Sequence, residues 1–365
     1  MILDAHDGHC AGTGRRLAGH VLDRSKIMSV TREMRSMPRT TLEDIARQAG
    51  VSKITVSRTF SSPEKVHAET RSQILRIARE LNYVPQSQTA NRDPAITRTL
   101  GVVNPNMSNP FFGRMTREIT LAARARGYTV LVFDSYESET LEDEAIGKLI
   151  EFSVDAVILS VISSDIDYHP AYLDRLEAAR IPVVLVDREL KAAHYGGVYI
   201  DNLDCGYQAG RYCLEKGLTQ LLAVSGPVDS MVSIGRMSGL REAIGSRPVS
   251  LEVIYSDFSF EPAYLALRDY LRDHSWPEAI IGANNQITMA VLKLCHEQGV
   301  VPQRDVQLFS IDDIEHSDVF GVHIPCIHHN LPEIAQQALQ LALAAIQSPD
   351  QRGFRTVVRG QLRTW

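Results

Sequence analysis

The stretch Thr41-Leu-Glu-Asp-Ile-Ala-Arg-Gln-Ala-Gly-Val-Ser-Lys-Ile-Thr-Val-Ser-Arg58 decides how the N-terminal part of this chain folds. Thr41 and Asp44 have the spacing of a capping box, in which a hydroxyl and a carboxylate satisfy the free N–H groups of a helix's first turn. The helix they open runs to about Gln48 and stops at Gly50, a residue suited to the left-handed turn beyond a helix end. Ser52 then caps a second helix over 53–60, and Pro63 breaks the chain behind it. A third helix is expected from about Ala68 to Asn82, with Ile74, Leu75, Ile77, Ala78 and Leu81 on one face and Val84-Pro85 ending it.

Two short helices joined by the tight turn 48–52 make a helix-turn-helix pattern. The second helix of such a pair lies in the major groove of DNA, its first turn against base edges. Lys53 and Ile54 sit in that turn, and Arg58 follows about one and a half turns on. A basic side chain can donate to guanine O6 and N7, and an apolar one can touch a thymine methyl. Ser52, Thr55 and Ser57 are short hydroxyl donors suited to phosphates. Val51 and Val56 are expected to lock helix to helix. The rival reading of the same pattern is a three-helix interaction domain that never touches DNA.

Further on, residues 97–345 alternate apolar strands with amphipathic helices. Strands are expected at Leu100–Val103, Tyr128–Phe133, Ala156–Val161, Val183–Asp187, Val198–Asp201, Leu221–Ser225, Leu251–Tyr255, Ala279–Ala283 and Val306–Ile311. Continuous Val/Ile/Leu strands linked by helices imply parallel sheets covered on both faces. Nine such strands exceed one compact unit, so two α/β subdomains with a cleft between them are expected. The expected organisation is a leader or over-extended start over 1–37, a headpiece over 38–84, a linker over 85–97 and a large domain over 98–365. Within the large domain, one subdomain is expected over about 98–198 plus 328–350, and the other over about 199–327 plus the C-terminal end.

Composition removes several classes. At 44% hydrophobic and 22% charged, the 365 residues can build cores, so wholesale disorder is excluded. No run of about 18 apolar residues offers a membrane-spanning helix, and the first residues hold no apolar stretch of the secretory kind. Cys10, Cys205, Cys213, Cys295 and Cys326 are scattered without a CxxC pair, which fits a reducing cytoplasm rather than a disulfide framework. His6, His9 and Cys10 lack a fourth ligand, and the adjacent His328 and His329 point opposite ways on extended backbone. No metal and no cofactor are expected. Charge is uneven: net +2 over 1–37, +3 over 38–96 and −11 over 97–365. A small basic module attractive to phosphates precedes a large acidic one.

The stretch 41–58 resembles the N-terminal signature of the LacI/GalR family of transcriptional regulators, and Glu80-Leu-Asn-Tyr-Val-Pro85 resembles the end of that family's third helix. Asn109-Pro-Phe-Phe112, Pro182-Val-Val-Leu-Val-Asp-Arg188, Ser225-Gly-Pro227, Ala283-Asn-Asn-Gln286 and Ile311-Asp-Asp313 sit where the family has similar runs, so the resemblance covers roughly 40–360. It implies a helix-turn-helix headpiece followed by a two-subdomain, periplasmic-binding-protein-like fold. It also implies a cytoplasmic, nucleoid-associated homodimer that reads a near-palindromic operator on double-stranded DNA. By position, Lys53, Ile54 and Arg58 read bases, while Thr41, Leu42, Ser52, Thr55, Ser57, Thr70, Asn82 and Tyr83 hold the backbone or shape the headpiece. The hinge departs from the family: the minor-groove wedge leucine becomes Arg92, with Thr89 at the small-residue position and Asp93-Pro94 behind. An arginine can enter a narrow A·T minor groove, but it is not an apolar wedge.

Ligands of open α/β sheets bind beyond the C-terminal strand ends. Asp187, Asn284 and Asp312 end three strands, and Arg236 stands near the start of the helix after Ser225-Gly-Pro. Carboxylate, amide and guanidinium together suit the hydroxyls of a sugar, polyol or sugar phosphate. The resemblance puts Arg236, Asn284 and Asp312 at effector-contacting positions, with Asp187 close by and His329 at a hinge crossing. Phe111 and Phe112 offer an apolar wall. The bland alternatives are that Asp187 and Asp312 cap helices or hold inter-subdomain hydrogen bonds, and that either Phe belongs to the core. The implied function is a carbohydrate-responsive repressor. The alternatives are a corepressor-dependent regulator and a sugar-binding protein that never binds DNA. No GxGxxG, P-loop or GxSxG is present, so no enzyme is expected.

Overall fold

A computed structural model of the chain describes residues 41–61, 65–81, 97–163, 165, 167–190, 195–348 and 354–364. Two compact units divide at Arg92/Asp93. The first holds α1 (Leu42–Ala49), α2 (Lys53–Ser61) and α3 (Ala68–Glu80). The capping box forms as the sequence predicts: the Asp44 N–H donates to Thr41 Oγ1 at 3.3 Å, and the Thr41 N–H donates to Asp44 Oδ2 at 2.9 Å. Gly50 ends α1 at φ 67°, where a side chain would be strained. The Thr55 N–H donates to Ser52 Oγ at 3.2 Å, so Ser52 caps α2. Ile45, Val56 and Ile74 are wholly buried and bring one face of each helix into a common core, with Val51 and Leu81 packed against it.

The second unit contains two six-stranded sheets of equivalent order. The first runs β11-β5-β4-β3-β1-β2 and the second β12-β10-β9-β8-β6-β7. In chain order the strands are β1 (Thr99–Asn104), β2 (Thr129–Asp134), β3 (Ala156–Leu159), β4 (Val183–Asp187), β5 (Gly196–Ile200), β6 (Gln220–Ser225), β7 (Ser250–Tyr255), β8 (Ala279–Gly282), β9 (Gln307–Ile311), β10 (Cys326–His328), β11 (Arg355–Val358) and β12 (Gln361–Arg363). Among the described residues these strands pair in parallel, except β10 with β12. Each of the nine expected strands is found within a residue or two. The three additional strands, β10 to β12, are short and close the sheets near the C-terminal end.

Helices cover both faces of each sheet: α4 (Pro110–Ala125), α5 (Glu139–Glu151), α6 (Tyr172–Ala178) and α11 (Leu331–Gln347) on the first, and α7 (Asn202–Glu215), α8 (Met231–Ile244), α9 (Phe260–Asp273) and α10 (Asn285–Gln298) on the second. The chain passes between the two lobes after Ile200, after His328 and after Val358. In both sheets the strand order reverses beside the first strand of the lobe, between β1 and β3 and between β6 and β8. That reversal opens a crevice at the C-terminal strand ends. Within the second lobe, α7 and α8 approach until their backbones touch. A Cβ on Gly206 would lie 1.8 Å from Arg236 O, and one on Gly239 would lie 1.9 Å from Leu203 O. This contact holds Arg236 over the start of α7.

Candidate effector cleft and nucleic-acid interface

Loops from the C-terminal strand ends of both sheets enclose a cleft with an empty volume of about 510 Å³, part of it open solvent. Phe111, Phe112, Asp187, Arg236, Asn284 and Asp312 all line it. His329 lies in an adjoining side chamber that shares Phe111 and Asp312 with the main cleft. Asp187 and Asp312 leave their strands at φ 69° and 84°, a left-handed turn that aspartate tolerates better than most side chains.

The surroundings of these groups differ. Asp187 keeps a partial opening to the cleft, yet protein encloses its carboxyl. Burial pushes that carboxyl above the usual range, Arg188 and Arg236 pull it back, and Asp312 raises it further. Arg236 is buried; its Nε donates to Asn202 Oδ1 at 2.9 Å, and its Nη1 donates to the Ala283 carbonyl. Asn284 caps α10, where its Oδ1 accepts from the Ile287 N–H at 2.8 Å, while its Nδ2 donates to the Phe258 carbonyl at 2.7 Å. The cap role considered for the two aspartates thus falls on Asn284. Asp312 Oδ1 stands 3.0 Å from His329 Nε2 without forming a well-aligned hydrogen bond. His328 turns the other way, its Nδ1 2.7 Å from Asp313 Oδ2. Phe111 and Phe112 are edge to face at 5.2 Å; both belong to the core and both line the cleft.

Several lining residues went unforeseen, among them Asn106, Asn109, Glu137, Arg188 and Phe258. Arg188 is buried; its Nη1 donates to the Val161 carbonyl at 3.1 Å and to the Ile162 carbonyl, and it pairs with Glu137 at 3.2 Å. Its guanidinium lies 5.8 Å from the Phe112 ring centre and 5.9 Å from that of Phe258, so it stands beside one ring from each lobe. Each of these residues follows a strand end. The strand-end rule that selected Asp187 and Asp312 held the signal for them too, had it been applied to every strand.

In the headpiece, Lys53, Ile54, Ser57 and Arg58 are exposed on α2, and Ile54 is 63% exposed despite being apolar. Ile54 and Arg58 are four residues apart and so share a face, opposite the buried Val56. Lys53 Nζ is paired with Glu43 on α1. Thr41 and Ser52 are exposed caps, while Leu42, Thr55 and Thr70 are half-buried. Asn82, Tyr83 and Arg92 lie outside the described residues, as do Thr89 and the rest of 85–96.

Residues 41–86 match the pattern of bacterial regulatory proteins of the lacI family, and residues 100–318 match the periplasmic binding protein domain. The chain belongs to the LacI family. It is accordingly a DNA-binding transcriptional regulator. The HTH-type transcriptional repressor PurR of Pectobacterium atrosepticum is 25% identical over 313 residues, 84% of this chain and 91% of that repressor. Among solved structures, a complex of the transcriptional regulator CelR with cellobiose is 25% identical, with a TM-score of 0.65 over 89% of this chain and 99% of that one. The lac repressor dimer bound to operator and the anti-inducer ONPF is 21% identical, with a TM-score of 0.68 over 89% of this chain and 98% of that one; at this identity it supports the fold alone. Among the described residues no helix is long and apolar enough to cross a membrane.

Proposed function

We propose that this regulator is a homodimeric repressor whose paired headpieces read a near-palindromic operator. Its operator affinity is set by a carbohydrate (a sugar, polyol or sugar phosphate) held in the cleft between its two lobes. The headpiece spans 38–84, the hinge 85–97 and the effector and dimerisation domain 98–365. In this reading Lys53, Ile54 and Arg58 touch bases, and Ser52, Thr55 and Ser57 touch phosphates. Asp187, Arg236, Asn284, Asp312 and His329 surround the effector, with Phe111 and Phe112 as its apolar wall. The protein works in the cytoplasm, on the nucleoid, and does so without turnover of its ligand.

The observation that carries the reading is the convergence of polar strand-end residues from both lobes on one cleft. A ligand touching Asp187 of the first lobe and Asp312 of the second binds one lobe arrangement better than another. It shifts the equilibrium by no more than that difference. The test is selection of fragments of genomic DNA bound by the purified protein, with and without pooled sugars and sugar phosphates. An enriched near-palindrome whose recovery changes with one pool supports the reading. Enrichment only in the presence of a pool identifies a corepressor. Fragments recovered without sequence preference in every condition refute it.

A further inference from the structure

We infer that the cleft takes an uncharged, hydroxyl-rich ligand and rejects the phosphate esters of such ligands, a narrowing that rests on the carbohydrate reading above. Three carboxylates (Glu137, Asp187 and Asp312) and two guanidiniums (Arg188 and Arg236) line the cleft, a carboxylate excess of one. Arg188 offers no open fork, and Arg236 keeps only Nη2 for the cleft. Arg188 is engaged by both Glu137 oxygens and by the carbonyls of Val161 and Ile162. Arg236 is engaged by Asn202 and by the Ala283 carbonyl. The positive field that remains falls on Asp187, which feels both cations. A phosphate is ordinarily held by free N–H groups or an unoccupied arginine fork. Of the helix N-termini at the cleft, those of α4 and α10 are capped by Asn109 and Asn284, while those of α8 and α9, at Val232 and Ser259, carry no side-chain cap and face the carboxylate excess.

What the cleft has in surplus is acceptors. Asn285 Oδ1 belongs to a buried residue and has no hydrogen-bond partner; Asp312 Oδ1 and His329 Nε2, also buried, stand 3.0 Å apart without an aligned hydrogen bond between them or to any other group. All three residues line the side chamber behind Asp312, which has room for about one water-sized group. Buried acceptors call for donors. A hydroxyl brings one donor each time, whereas a phosphate near neutral pH brings acceptors and up to about two negative charges. Placed beside Asp187 and Asp312, those charges meet like charge in a partly desolvated site. A neutral sugar or polyol instead donates to Asp187 and Asp312 and sends one hydroxyl into the side chamber.

The full-length protein decides this by thermal unfolding at matched ionic strength. The probes are inorganic phosphate and pairs of a sugar with its own phosphate ester: glucose, fructose and ribose, each with its monophosphate. The expected result is no saturable shift from inorganic phosphate up to about 10 mM, and any stabilising sugar binding at least about ten-fold more tightly than its ester. In Asp312→Asn, which keeps the side chain's shape and removes its charge, that preference shrinks by about ten-fold. Saturable stabilisation by inorganic phosphate or by an ester, lost in Arg236→Met, overturns the inference. If no sugar and no ester binds while phosphate is also without effect, the exclusion of phosphate stands and the carbohydrate reading falls.

Discussion

Replacing Arg58 with alanine separates base reading from mere attraction to DNA. Arg58 is exposed on the same face of α2 as Ile54, and Val56 on the opposite face is wholly buried. Truncation at Arg58 therefore removes nothing from the headpiece core, and the expected change in unfolding free energy is within about 0.5 kcal/mol. If the guanidinium meets a guanine edge, each half-site loses about 1–3 kcal/mol of discrimination. A dimer has two half-sites, so operator affinity falls by about 2–6 kcal/mol, roughly 30-fold to 25,000-fold. Fluorescence anisotropy on the selected operator and on a scrambled duplex, each across several salt concentrations, measures this. The loss is expected on the operator with little change on the scrambled duplex, so the specificity ratio collapses. A phosphate contact behaves differently: affinity falls equally on both duplexes, and the salt slope drops by about 0.9 per half-site, near 2 for the dimer. That second pattern would falsify the placement of Arg58 against bases.

Three further outcomes follow from burial. Val56→Ala opens the small core shared with Ile45 and Ile74, so protease resistance of 41–81 in the full chain should fall by about 2 kcal/mol; unchanged cleavage rates contradict that packing. Glu142 is buried beneath the hydroxyls of Tyr168 and Tyr172, and burial pushes its carboxyl up. A folded-state value above the unfolded one gives stability that is full below the unfolded value and is lost as pH rises through the folded one. Glu142→Gln should therefore flatten the decline in stability from mildly acid to neutral pH, and a variant-to-parent difference independent of pH over about 4–8 would refute this. Burial also pushes the thiols of Cys205, Cys213, Cys295 and Cys326 up to about 12. Against a thiol reagent at mildly alkaline pH, these four should stay silent in the native protein and react on unfolding; native reactivity at any of them, located by peptide mapping, counts against the core described.

Legibility of the fold followed the strength of local signals. Thr41, Asp44, Gly50 and Ser52 act through hydrogen bonds and dihedrals within a few residues of themselves, so their roles could be read from spacing. The long apolar strands carried their own signal, because a strand covered on both faces must be apolar at every position. Strands β10, β11 and β12 did not. Cys326–His328 and Gln361–Arg363 are three residues each, and Gln361, Leu362 and Arg363 are all exposed. They are strands because a sheet edge already built by the preceding chain accepts them, and that information is held in no short window.

The cleft divides along the same line. Asp187 and Asp312 were visible as polar residues ending apolar runs, but what each does depends on partners from elsewhere in the chain. Arg188 belongs to the site because Val161 and Ile162, some 26 residues earlier, present carbonyls to it. Asn284 shows the reverse: its amide, chosen for an effector, already ties the start of α10 to the Phe258 carbonyl. Several contacts cross between the lobes. Asn285 Nδ2 donates to Asn109 Oδ1 at 3.0 Å, Arg114 pairs with Glu315 at 3.5 Å, and Phe111 meets His329 edge to face at 6.1 Å. These contacts join the two lobes in the present arrangement, and an effector that favours it adds contacts on both sides at once. Asp187 on the first lobe and Asp312 on the second are acceptors placed to provide them.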